Sequence, residues 1–142
     1  MNNNNDVGRR ISILSNQIRR QFDNTTSVNG VTGVQRKVLH FILAQSQEID
    51  IFQKDIEEEF NLRRSSATGV LQLMEQNNLI RRESVSYDAR LKKIIITEKA
   101  MQMKGQVLQE IHLLEEKLKR NISDKDLELF FKVINQMSKN LE

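Results

Sequence analysis

One stretch of this chain breaks the helical spacing that governs the rest. From Leu79 to Thr97, two segments rich in β-branched residues, Ile80 to Val85 and Lys92 to Ile96, flank the polar tip Ser86-Tyr87-Asp88-Ala89-Arg90. This pattern predicts a β-hairpin. Elsewhere apolar residues mostly recur three and four apart, as one face of a helix requires. The 142 residues include no proline, which suits a chain that is mostly helix. The expected fold class is therefore mainly α, with one hairpin set among helices.

The helical pattern has identifiable starts and stops. Val7, Ile11, Leu14, Ile18 and Phe22 form one stripe, ending at the polar stretch 23–30. Thr32-Gly33-Val34-Gln35 has the spacing of a capping box and opens a helix that buries Val38, Leu39, Ile42 and Leu43. Ile49 and Ile51 alternate with Asp50, as in a very short strand. Lys54 to Phe60 reads as a short helix, Asn61-Leu62 as a tight turn, and Arg64 to about Asn77 as a further helix with Ala67, Val70, Leu71 and Met74 inward. Asn78 suits a left-handed helix terminator. Thr97 caps a helix expected to run to about Arg120, and Ser123-Asp124-Lys125-Asp126 opens the last one, striped by Leu127, Phe130, Phe131, Ile134, Met137 and Leu141.

A chain of this length is expected to form one domain, 1–142. It has no cysteine, which excludes disulfides, thiolate chemistry and cysteine-ligated zinc. No apolar run is long enough to cross a bilayer and residues 1–10 lack the apolar core of a signal peptide, so a cytoplasmic protein is expected, with no membrane partner. His40 and His112 stand far apart without acidic neighbours at ligand spacing, so neither a metal nor a cofactor is expected. No Gly-rich phosphate loop or paired nucleophile and base points to an enzyme.

The net charge of +3 says little, but its distribution says more. Asn61 to Thr97 holds Arg63, Arg64, Arg81, Arg82, Arg90, Lys92 and Lys93 against Glu75, Glu83 and Asp88, seven basic against three acidic groups. Glu48 to Phe60 is acidic in turn. A short helix, a turn, a helix with Ser65, Thr68, Gly69 and Gln72 outward, and a basic hairpin are the parts of a winged helix-turn-helix. Such a helix fits the major groove, where Ser, Thr, Gln and Arg reach base edges and phosphates. The hairpin forms a wing, with Lys92 and Lys93 near phosphates and Arg90 at the tip for the minor groove.

The run Leu79-Ile80-Arg81-Arg82, then Asp88-Ala89-Arg90, then Ile94-Ile95-Ile96-Thr97 resembles the wing of the MarR family, the multiple antibiotic resistance regulators. Ser65-Ser66-Ala67-Thr68 and Met74-Glu75 stand where that family's recognition helix has its Ser/Thr-rich start and its Leu-Glu. Arg63, Gly69, Asn78 and Ala100 depart from the pattern. The resemblance implies a homodimer on a palindromic double-stranded DNA operator. Residues 31–97 would form the DNA-binding lobe, and the flanking segments 6–28 and 98–142 the dimerisation helices. It implies DNA contacts by Arg63, Arg64, Ser65, Ser66, Thr68, Gln72, Asp88, Arg90, Lys92 and Lys93. It also implies a repressor released by an amphipathic or aromatic ligand held near the first, second and fifth helices. Periodicity alone does not separate packing within one subunit from dimerisation. The alternative function is a winged helix that binds protein rather than DNA.

Overall fold

The computed structural model describes residues 5–24, 33–45 and 48–142. Their order is α1 (Val7–Asn24), α2 (Gly33–Ala44), α3 (Gln53–Glu59), α4 (Arg64–Gln76), β1 (Ile80–Val85), β2 (Asp88–Ile96), α5 (Glu98–Gln102), α6 (Lys104–Lys119) and α7 (Asp124–Asn140). The chain forms two compact units, Met1–Leu108 and Gln109–Glu142.

In the first unit the inward faces of α2, α3 and α4 meet the base of the hairpin. Leu39, Ile56, Leu71, Met74 and Leu79 are fully buried, with Ile51, Ile80, Ile94, Ala100 and Val107 completing the core. Enclosing one such aliphatic side chain contributes about 1.5 to 3 kcal/mol, so this cluster fixes how α4 sits against the wing.

Three helices end on asparagines with positive φ, Asn61 at 49°, Asn78 at 57° and Asn121 at 60°. Asn tolerates the left-handed region because its short polar side chain offsets part of the steric cost. At Asn78 the amide of Leu79 donates to the Met74 carbonyl (2.9 Å) and that of Asn78 to the Glu75 carbonyl (3.0 Å), the paired bonds of a Schellman end. The chain then reverses directly into β1 with Leu79 buried against Met74.

β1 and β2 pair antiparallel, with Ile80 opposite Ile96 and Ser84 opposite Lys92. The register then shifts so that Val85 faces Asp88. Ser86-Tyr87 is thus the turn itself, and Ala89-Arg90-Leu91 is a bulge in the second strand. The strand expected at Ile49 to Ile51 does not form. One bond survives, from the Ile94 amide to the Ile51 carbonyl at 2.7 Å, because α3 begins at Gln53 and turns the backbone away.

Other expectations need correction. The helix expected from Thr97 to about Arg120 is interrupted at Met103, whose amide takes the tighter bond to the Ala100 carbonyl (3.0 Å). Thr32 of the first capping box lies outside the described residues. Its expected partner Gln35 is buried and accepts a hydrogen bond from Asn77 Nδ2 at 3.2 Å. Ser123 caps α7 as expected, accepting from the Asp126 amide at 3.1 Å.

Thr97 closes the base of the wing. Its hydroxyl donates to the Asn78 carbonyl (2.7 Å) and accepts from the Ala100 amide (3.2 Å), and its own amide donates to the Leu79 carbonyl (3.1 Å). One side chain thus ties the end of α4, the end of β2 and the start of α5. Thr97→Val keeps the shape and removes the hydroxyl, and is expected to cost about 1 to 3 kcal/mol in denaturant unfolding, with Thr97→Ser recovering most of it.

Candidate nucleic-acid interface

Every residue assigned to DNA by the sequence lies on α4, its N-terminal flank or the wing. Arg63 is the N-cap residue of α4 and makes no capping bond with its side chain. Arg63, Arg64, Ser65, Ser66 and Gln72 are all exposed. Ala67, Leu71 and Met74 bury the opposite face, so α4 presents its polar side outward.

Thr68 is different. Its hydroxyl donates to the Arg64 carbonyl (2.8 Å) and accepts from Gln53 Nε2 (2.9 Å), so it already has partners on both counts. Gln53, the first residue of α3, goes further: its Nε2 also reaches the Arg64 carbonyl (3.3 Å), and its Oε1 accepts from Arg82 Nη1 (3.3 Å). Arg82 Nε lies 2.8 Å from Glu75 Oε1. Its N–H lacks hydrogen-bond geometry to any acceptor, so this is a charge contact. A chain of polar contacts therefore joins the wing to α3 and to the N-terminal half of α4. Sequence reading passed over Gln53, since its bonds span 15 and 29 residues and leave no local pattern.

At the wing Asp88 and Arg90 are joined directly. Arg90 Nε and Nη2 each donate to the Asp88 carboxylate at 3.2 Å, and the Arg90 amide donates to Asp88 Oδ1 at 2.9 Å. The Arg90 side chain is nevertheless 91% exposed, against 27% for Asp88. The bulge brings the two residues to one side, and the carboxylate orients a guanidinium whose outer surface stays open. Hydrogen bonds from the Arg90 side chain, then from its amide, hold the Asp88 carboxyl below its ordinary value.

Lys92 and Lys93, expected together at phosphates, are successive strand residues and project to opposite faces. Lys92 is exposed. Lys93 is half-buried with its Nζ 3.9 Å from Asp50, on the side of a cleft of about 260 Å³. The cleft is lined by Ile42 and Leu43 of α2, Ile49 to Ile51, Ile94 to Ile96 and Met101 of α5. Two of the three helices expected around a ligand contribute to it, and no described side chain of α1 lines it. Some loss of hydration and the Asp50 carboxylate raise the Tyr87 phenol, so Tyr87 and Lys93 both sense Asp50.

A buried three-helix lobe with an outward polar helix and an adjoining two-stranded wing is a winged helix-turn-helix. Residues 29–91 match the model of the MarR family, and this segment is of MarR type. The chain superposes on the transcription regulator MarR from Oenococcus oeni PSU-1 with a TM-score of 0.85 and 26% identity, over 94% of this chain and 99% of that one. It is similar in fold to MepR from S. aureus, solved as a complex with DNA (TM-score 0.85, 18% identity, 95% and 98% covered). It is likewise similar to a MarR family transcriptional regulator from Listeria monocytogenes complexed with 26mer DNA (TM-score 0.81, 15% identity, 96% and 89% covered). No curated protein matches the chain by sequence at a significant level. No helix among the described residues is long and apolar enough to cross a membrane.

The sign of the Asp88 shift fixes a pH dependence. A carboxyl whose pKa is lowered on folding lends stability above its unfolded pKa and loses it as pH falls through the folded one. Side-chain carboxyl NMR of Asp88 is expected to give a midpoint below the ordinary aspartate value, and Arg90→Ala to return it upward.

Proposed function

We propose that this protein is a transcription regulator that binds double-stranded DNA sequence-specifically as a homodimer. The observation that carries the reading is the pairing, within one lobe, of an exposed polar recognition helix with a pre-oriented wing arginine. The DNA complexes of the MepR and Listeria proteins, which share the fold, support it. In this reading Arg63, Arg64 and Lys92 neutralise phosphates, Ser65, Ser66 and Gln72 meet base edges, and Arg90 enters the minor groove beside the wing. Thr68 is steered by Gln53 and meets the DNA through its methyl side. Lys93, held toward Asp50, adds to the field rather than to a contact.

The lobe 31–97 does the binding and the segments 6–28 and 98–142 do the dimerising. Support for the second half comes from exposure. Val7, Ile11 and Leu14 of α1 and Leu129, Phe130, Phe131 and Val133 of α7 remain 44–52% exposed, and no residue of α7 is buried. Apolar faces of this extent mark interfaces. We further assign repression of cytoplasmic genes from a two-fold operator, relieved by an amphipathic or aromatic ligand. The cleft between α2, β2 and Met101 is the candidate seat for it, with Lys93 at its polar edge.

Arg90→Ala is expected to leave thermal stability nearly unchanged, since a solvent-exposed ion pair contributes little to folding. It should weaken binding to specific and random duplexes alike and lower the salt slope by about one charge per subunit. Asp88→Ala is expected to weaken binding as well, although it removes a negative charge. Tighter binding by Asp88→Ala would refute the orienting role, and salt-independent binding would refute the DNA reading.

Sedimentation at low micromolar concentration is expected to show a dimer. Phe131→Glu, which puts a charge into the α7 face, should shift it toward monomer without unfolding the winged lobe.

A further inference from the structure

Gly69 stands in the middle of α4, where glycine costs a helix about 1 kcal/mol relative to alanine. Nothing among the described residues asks for it. A Cβ built at Gly69 would meet none of their atoms within 4 Å beyond its chain neighbours and its own helical backbone. Gly8 and Gly105 are equally open, but each is the second residue of its helix, where the cost is slight. A mid-helix glycine without an internal reason points to close approach from outside. Its neighbours on the helix surface, three and four residues away, are Ser65, Ser66, Gln72 and Leu73. Leu73 is an independent oddity, a large aliphatic side chain left 49% exposed on the recognition helix and outside the hydrophobic core.

Together these residues make a niche. Its floor is the Gly69 Cα, whose peptide groups are already committed to the helix ladder. One wall is Leu73. Neither offers a donor or acceptor, so the niche suits an apolar group. The major groove displays one such group, the C5-methyl of thymine. We propose that the Gly69–Leu73 niche seats a thymine methyl, making Gly69 a specificity-determining residue by what it leaves empty. The inference rests on the DNA-binding reading above.

The test pairs a filled niche with a missing methyl. The wild-type protein selects a site from a random duplex pool, and that site is synthesised with each dT replaced singly by dU. At one dT per half-site the wild type is expected to lose about fourfold in affinity, the value of one buried methyl. Gly69→Ala should bind the original site about fivefold more weakly, as a surplus methyl does in filled space, and prefer the dU version at that same position. It should also melt about 4 °C higher, because alanine favours the helix, which rules out damage to the fold as the cause. Indifference of the wild type to every dU, or an unchanged dT-to-dU ratio in Gly69→Ala, would overturn the niche. Failure of the wild type to enrich any duplex would instead overturn the DNA reading.

Discussion

A wing reads DNA usefully only if its direction relative to the recognition helix is fixed, and in this lobe that direction is set where α4 passes into β1. The Schellman end at Asn78 reverses the chain within two residues, and Leu79 is driven into the core beside Met74. Thr97 then ties the returning strand to the Asn78 and Leu79 carbonyls through its hydroxyl and its amide. These bonds are buried or partly buried, so water competes for them poorly, and a donor or acceptor left unpaired there costs more than a surface hydrogen bond yields. The hairpin, the recognition helix and α5 therefore move as one body.

A second constraint acts nearer the surface. Gln53 bridges Thr68, the Arg64 carbonyl and Arg82, and Arg82 lies against Glu75. This divides the basic residues of the segment by what they already do. Arg82 and Lys93 face acidic partners and are partly covered, whereas Arg63, Arg64 and Lys92 are exposed. Arg90 combines both states: its inner edge is fixed by Asp88 and its outer surface faces solvent. A guanidinium held in this way loses less freedom on binding than a free one.

The exposed apolar faces of α1 and α7 set the other requirement. Leaving so many large side chains in water favours association. The homodimer proposed above would cover them and would present two recognition helices to the same face of a duplex.

The sequence by itself determined the helices apart from the break at Met103, the hairpin, the left-handed Asn78, the Ser123 cap and the outward polar face of α4, because each depends on residues within about one or two turns of one another. It also placed Asp88 beside Arg90, two positions apart on one hairpin. Only the tertiary structure decided which polar groups were already engaged. Gln35 reaches Asn77 and Gln53 reaches Thr68 and Arg82 across long stretches of chain, and no local period records such distances. The strand expected at Ile49 to Ile51 was lost to the early start of α3, and Lys92 and Lys93 were parted by strand alternation once the hairpin register was fixed. In the sequence Gly69 is only a departure from the family pattern on the outward face; the open space above it, and Leu73 exposed beside it, emerge only when the helix is packed and its surface can be seen.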